Sequence, residues 1–457
     1  MMSRRWLVVV FHLSLLASLC ALASAQQSSS AQPKPGSANK AGMYTGPGGC
    51  AASNCHGSVQ PKNVTRIPQN EYSIWAAQDK HSRATSVLSN AVSLRMAKIL
   101  KINQPNTEHK CLACHAADVS PELRAETFHL EDGVSCESCH GPAVGWLGPH
   151  TTKNWTHEQS IKAGMYDLRD NIHRSERCVG CHVGTPEKQV DHEMIAAGHP
   201  DLTFELDTYS SAMPRHWRPT RETEAWSDVR EWAVGQAVQL REALNRLDRR
   251  VSGPNWPEFA EMDCFACHHS LTRPEDSWRQ ARGYPDRRPG STEWNAARYI
   301  FFRHIVSQVN PDLAAKLDAE LATLTDLVGK WSSHDKVEAS AKQAAQLADQ
   351  AAQQLNSQKY DQQLTQRVMQ AIAGDGTNIA NTGERSAEQA AMALDSLAVA
   401  FGKNSSTKNL TELRSSINEL FKQLNNPSAY NAPQFASQLQ KVRAQLPQGG
   451  SAVAGNR

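Results

Sequence analysis

The chain has 457 residues, with 48 Lys and Arg against 46 Asp and Glu for a formal net charge of +2. That balance excludes the strongly basic footprint of a nucleic-acid binder. Only 6% of residues are aromatic and 40% hydrophobic, a lean supply for a length that suits two or three domains, so something besides side chains is expected to fill part of the interior.

Residues 1–25 read as a signal peptide. Arg4 and Arg5 precede an apolar run from Trp6 to Ala23, and Ala23-Ser24-Ala25 makes a small-x-small cleavage site. The run is marginal for a membrane span and is diluted by His12, Ser14 and Ser18. Leu19 stands where a lipoprotein signal at Cys20 would want a small residue. The expectation is an exported protein, periplasmic or otherwise, with no membrane span once the signal is removed. Residues 26–42 form a Gln/Ser/Pro tether that need not fold.

Residues 43–295 hold every remaining cysteine and are taken as one domain. Two stretches inside it have helical periodicity: 71–100, through Tyr72, Trp75, Ala76, Val87 and Leu88, and 222–249, through Trp226, Val229, Trp232, Ala233, Leu240, Leu244 and Leu247. It closes on an Arg/Pro/Gly loop over 272–295. Residues 296–446 lack Cys and are rich in Ala, Gln and Leu, with Leu313, Leu317, Leu321, Leu324 and Val328 on one stripe. They predict a C-terminal helical bundle or helical hairpins, divided by loops at AGDGTNIANTGE and GKNSSTKN. Residues 447–457 read as a disordered tail.

The chemistry lies in the cysteines. Ten of the eleven fall into five close pairs, each followed at once by His. Four are strict: Cys111, Cys114 and His115; Cys136, Cys139 and His140; Cys178, Cys181 and His182; Cys264, Cys267 and His268. Cysteines at i and i+3 lie on one face of a helical turn and can form thioethers to the two vinyl groups of one haem, with the adjacent imidazole aimed at the iron. Such a tether holds a haem without a deep apolar pocket. Zinc would need a second pair or extra His for four ligands and would not demand His after every second Cys. A disulfide between residues three apart is strained and seldom structural. The fifth cluster, Cys50-Ala51-Ala52-Ser53-Asn54-Cys55-His56, has four residues between its cysteines. A small Cys50–Cys55 disulfide loop competes with a haem there, and the haem is preferred because two residues can bulge out with His56 still in register. Five covalently attached haem c groups are expected, the first at this wide motif.

An iron held by His56, His115, His140, His182 or His268 also has a distal position. The chain has 18 His, enough to fill all five. The selected candidates are His81, His150, His192, His199 and His216, each weighed against a plain surface histidine. His192 and His199 are seven apart and could serve two adjacent haems if the segment is helical. His109 and His173, just before their motifs, could instead meet propionates. His269 and His334 read as surface residues, and His304, beside Tyr299, Phe301 and Phe302, is a conceivable ligand. Arg273, Arg279, Arg282, Arg287 and Arg288 could pair with propionates, dock an acidic partner or simply be solvated.

Taken with the motif order, GVSCESCHGPA at 133–143, KHSRA around His81 and the His150 that follows CHGP resemble the multihaem cytochromes of the cytochrome c-554 type. The resemblance covers about residues 44–200, and VDHEMIAAGHPDLTFEL with DCFACHH is similar to larger pentahaem relatives. It implies a mostly α, loop-rich multihaem cytochrome c core built around stacked haems, with His81 and His150 as axial ligands. It also implies that the iron at the CLACH position can lack a distal ligand, which bears on His115. The wide first motif, the fifth haem and the 296–446 helices lie outside the tetrahaem pattern. The expected function is electron transfer through five haems between unidentified redox partner proteins, without a catalytic residue. The alternative is an oxidoreductase that keeps one haem open for a small nitrogen or sulfur compound.

Overall fold

The computed structural model describes residues 42–65, 67–218, 224–268, 292–405 and 410–447. The signal, almost all of the tether and of the tail, His269 and the Arg273–Arg288 loop lie outside the described residues. The protein is mostly helical. Among the described residues there is no strand, only single bridges joining Tyr44 to Arg124 and Met262 to Trp294.

The N-terminal part is built of short helices stopped by their own caps. Helix α1 (Glu71–Gln78) ends at Asp79, whose extended backbone carries a carboxylate that accepts from the His81 N–H at 3.0 Å. Helix α2 (Ala91–Ile99) starts on Asn90, which accepts from Ser93 N–H. The single 71–100 helix expected from periodicity is therefore broken twice by capping residues. Next come α3 (His109–His115), α4 (Cys136–His140), α5 (His157–Lys162) and α6 (Asn171–His182). Helix α5 begins with a Thr156/Gln159 capping box and α6 with Asp170 as cap. Helix α7 (His192–Ala197) starts on Asp191 and stops at Gly198, where φ is 112°. Helix α8 (Leu206–Ala212) leads to the long α9 (Ser227–Val251).

Beyond these lie α10 (Arg303–Val309), α11 (Pro311–Gly329), α12 (His334–Ser357) and α13 (Gln362–Gly374). The chain finishes with α14 (Gly376–Thr382), α15 (Glu384–Asn404), α16 (Thr411–Leu424) and α17 (Ala432–Gln445). The expected loop at AGDGTNIANTGE is instead mostly α14. Its Ile379 and Ala380 are fully buried, and their burial outweighs the weak helix propensity of Gly and Asn.

Apolar burial is uneven along the chain. Among the described residues before Ile172 the only apolar cluster is small: Leu88, Leu112 and Ala116, with Cys111 and Leu130 against it. From Ile172 to Leu446 one continuous core runs through the molecule and includes residues on both sides of 295. Helix α9 is its axis: it packs chiefly along α12 and also meets α6, α8 and α15. Gly235 lets α8 approach α9, since a Cβ there would stand 2.7 Å from that of Leu206.

Candidate functional site

Helices α3, α4 and α6 each end on a motif histidine, His115, His140 and His182. In each the two cysteines and the imidazole are thereby set on consecutive turns. The CFACH motif makes a single tight turn in which His268 N–H donates to the Cys264 carbonyl at 2.8 Å. The wide first motif closes in the same way: His56 N–H donates to the Cys50 carbonyl at 3.2 Å. Its two extra residues are taken up in a turn where Cys55 and Gly57 N–H both bond to the Ala52 carbonyl, at 2.8 and 3.0 Å. A Cβ on Gly57 would collide with the Ala51 carbonyl, so the bulge requires the glycine that follows His56. Histidine thus keeps one relation to the first cysteine in both spacings.

Four of the five motif histidines have one of the distal candidates at a ring-to-ring separation just above 6 Å. The ring centroids of His56 and His150 lie 6.2 Å apart, those of His182 and His81 6.1 Å, of His115 and His199 6.4 Å, and of His268 and His192 6.2 Å. His216 lies close enough to His140 to disfavour its protonation, as does His56. These separations are too wide for ring contact. Two metal–imidazole bonds of about 2 Å, each continued by half a ring, account for a gap of about 6 Å. Among the described residues no three His, Cys, Asp or Glu side chains converge on one point. Each pair offers two axial donors only, which suits a metal whose other four donors come from a macrocycle.

Second partners point the rings. Nδ1 of His56 faces Glu71 Oε2 at 3.1 Å, and Nδ1 of His81 faces Asp79 Oδ1 at 2.9 Å. Backbone carbonyls do the same for His115 (Ala84, 2.9 Å), His150 (Trp146, 3.1 Å), His199 (Pro200, 2.7 Å) and His216 (Pro214, 3.3 Å). A proton held on Nδ1 leaves the Nε2 lone pair for a metal. By contrast His157 and His304 spend Nε2 on Asp167 and Asp375, both at 3.0 Å. His109 bonds Asp118, and His334 begins α12. Burial pushes His140 and His182 down to about 4, leaving both neutral at physiological pH. The hydrogen bond to Glu71 raises His56, and that to Asp79 raises His81.

The motifs lie side by side. The Cys50 and Cys136 thiols are within hydrogen-bonding reach, as are those of Cys114 and Cys181. Cys139 feels the charges of Cys178 and Cys181, and α7 carries His192 with His199 one residue past its cap. Phe204 stacks on His182 at 4.9 Å and Tyr209 meets its edge at 5.2 Å. Two glycines fit the chain around these groups. Gly133 (φ 73°) passes the His81 carbonyl, and Gly141 (φ 83°) follows His140, where a Cβ would stand 2.7 Å from the Gly164 carbonyl.

The Nδ1 acceptors Glu71 and Asp79 were missed by sequence reasoning; an acid two residues before His81 was the available signal. Also missed was a buried ion pair that ties two motifs together. From α9, Arg246 grips Glu261 through both carboxylate oxygens, at 2.6 and 2.9 Å, and donates to the Val183 carbonyl next to His182. Glu261, 2% exposed, also faces Arg250 at 3.0 Å and lies three residues before Cys264.

Residues 50–141 match the family model described as cytochrome c554 and c-prime. Cytochrome c-554 of Nitrosomonas europaea is 30% identical over 122 residues, which cover 24% of this chain and 52% of that protein. The chain thus spans about half the length of the curated relative it matches. No solved structure matches it.

Proposed function

We propose, from a chain whose residues 50–141 match the cytochrome c554 and c-prime family model, that it is an exported electron carrier holding five haem c groups. Thioethers from the ten motif cysteines would fix each macrocycle, and the haem irons supply reversible one-electron chemistry. The axial pairs are His56 with His150, His115 with His199, His140 with His216, His182 with His81, and His268 with His192. The observation that carries this reading is the 6.1–6.4 Å spacing of four motif–distal pairs.

Neighbouring thiols order four sites as His56, His140, His182 and His115, and α7, with His192 on it and His199 just past its cap, adds His268 after His115. This row would lead electrons between two redox partner proteins docked at different places on it. His199 opposite His115 supports ligation on both sides of that iron, which favours a carrier over an open-site enzyme. Residues 43–295 carry the haems, and the 296–446 helices support them through the core shared with α9. Intact mass of the mature chain tests the count. Five added haems on a chain beginning at Gln26 are expected, with one fewer in Cys55→Ala; four in the unaltered protein would remove the wide motif from the scheme.

A further inference from the structure

Six of the ten proposed ligand rings have an Nδ1 partner among the described residues, and these partners are of two kinds. Carbonyls stand behind His115, His150, His199 and His216, whereas full carboxylates stand behind His56 and His81. Both carboxylates are well shielded from water, Glu71 with 15% and Asp79 with 6% of its side chain exposed. Asp79 is further fixed because the same Oδ1 accepts from the His81 backbone N–H at 3.0 Å. An anion accepting the Nδ1 proton gives the imidazole part of the character of imidazolate. Such a ring donates more electron density through Nε2 and favours the ferric over the ferrous ion. A poorly screened negative charge at this distance acts in the same direction.

We propose that Glu71 and Asp79 are positioning residues that hold the potentials of the His56/His150 and His182/His81 sites below those of the other three. This rests on the axial pairing given above. In the row of sites the two depressed positions flank the His140 site. The first electrons to enter therefore settle at the His140, His115 and His268 sites. The last two to enter go to the carboxylate-backed pair, so the row is not a uniform conductor but one with two steps near its N-terminal end.

The test is a spectroelectrochemical titration of the haem-loaded protein with dithionite as reductant, in wild type, Glu71→Gln and Asp79→Asn. Both amides keep an oxygen to accept the Nδ1 proton, and the Asp79→Asn side chain can still cap the backbone, so ring orientation is retained while the charge is lost. Each variant should move one of the two lowest potentials upward, about tenfold in that haem's reduction equilibrium, or about 59 mV for one electron. The other four should stay in place, and the double variant should move both. Unmoved potentials with all irons still low-spin would overturn the proposal and leave the axial pairing standing. The pairing is checked apart from it by His150→Ala, which should make one iron high-spin; unchanged spin there would sink the pairing itself. If either amide variant loses a haem, Glu71→Asp and Asp79→Glu, which keep the charge, decide the matter: normal potentials with full loading support the proposal, and raised ones overturn it.

Discussion

His199 and His304 are both conceivable ligands by sequence, yet their rings are used in opposite ways. His199 gives Nδ1 to the Pro200 carbonyl, and its ring lies 6.4 Å from that of His115. His304 gives Nε2 to Asp375, which Arg303 also holds at 2.7 Å. In the proposed scheme His199 is a ligand, whereas His304 is a strut between α10 and the start of α14. His199→Ala is accordingly predicted to convert one iron to a five-coordinate, high-spin state that binds carbon monoxide rapidly after reduction. His304→Ala should leave the spectrum of the oxidised protein unchanged and affect stability alone. A spectral change in the second variant and none in the first would reverse the assignment.

At the scale of elements, caps and buried charges do work that hydrophobic periodicity does not display. Asp79 and Asn90 cut the 71–100 pattern so that His81 lies on a turn facing His182 rather than on a helix flank. The periodic signal alone could not show this, because each cap competes with helix propagation by a local hydrogen bond. The Arg246–Glu261 pair spans α9, the residue after His182 and the approach to Cys264, all within the interior. Removing one partner leaves an unpaired buried charge, which costs about 3–5 kcal/mol. Glu261→Ala, which takes from Arg246 its carboxylate partner and from Arg250 the nearer of its two, should therefore lower unfolding stability by about that amount in denaturant titrations. A loss under about 1 kcal/mol would mean that water reaches these groups.

For the whole molecule, the five motifs proposed to hold haem were legible because each is written locally: two sulfurs and an imidazole within a few residues. Which partner serves which motif was not. His56 and His150, or His115 and His199, are brought together by tertiary packing across dozens of residues, and no local pattern encodes that. Nor did the sequence show that α9 and the C-terminal helices share one core. The amphipathic stripe of 222–249 says that a face is buried, but not against what; α9 is buried nearly all round, with Val234, Ala237, Val238 and Leu240 wholly inside. Among the described residues the N-terminal third has only the Leu88 cluster, and haems are proposed to fill its interior, whereas α9 relies on α12 and α15. A chain ending near residue 291 would expose that helix. It should attach fewer than five haems and lose the protease resistance of residues 172–268; full loading with native resistance would show that the shared core is dispensable.

The central claim is that every iron is held between two imidazoles, and its most direct test is the low-temperature EPR spectrum of the fully oxidised mature protein, with spins integrated against haem content. Low-spin ferric iron is expected throughout. Two spectral classes are further expected, because the ring planes of His56/His150 and His192/His268 are inclined by only 12° and 30° while those of His81/His182 and His115/His199 stand at 88° and 89°. Near-parallel rings give ordinary rhombic signals and crossed rings strongly anisotropic ones. A high-spin signal amounting to about one fifth of the iron would contradict the account, since one of the five haems would then lack its distal histidine.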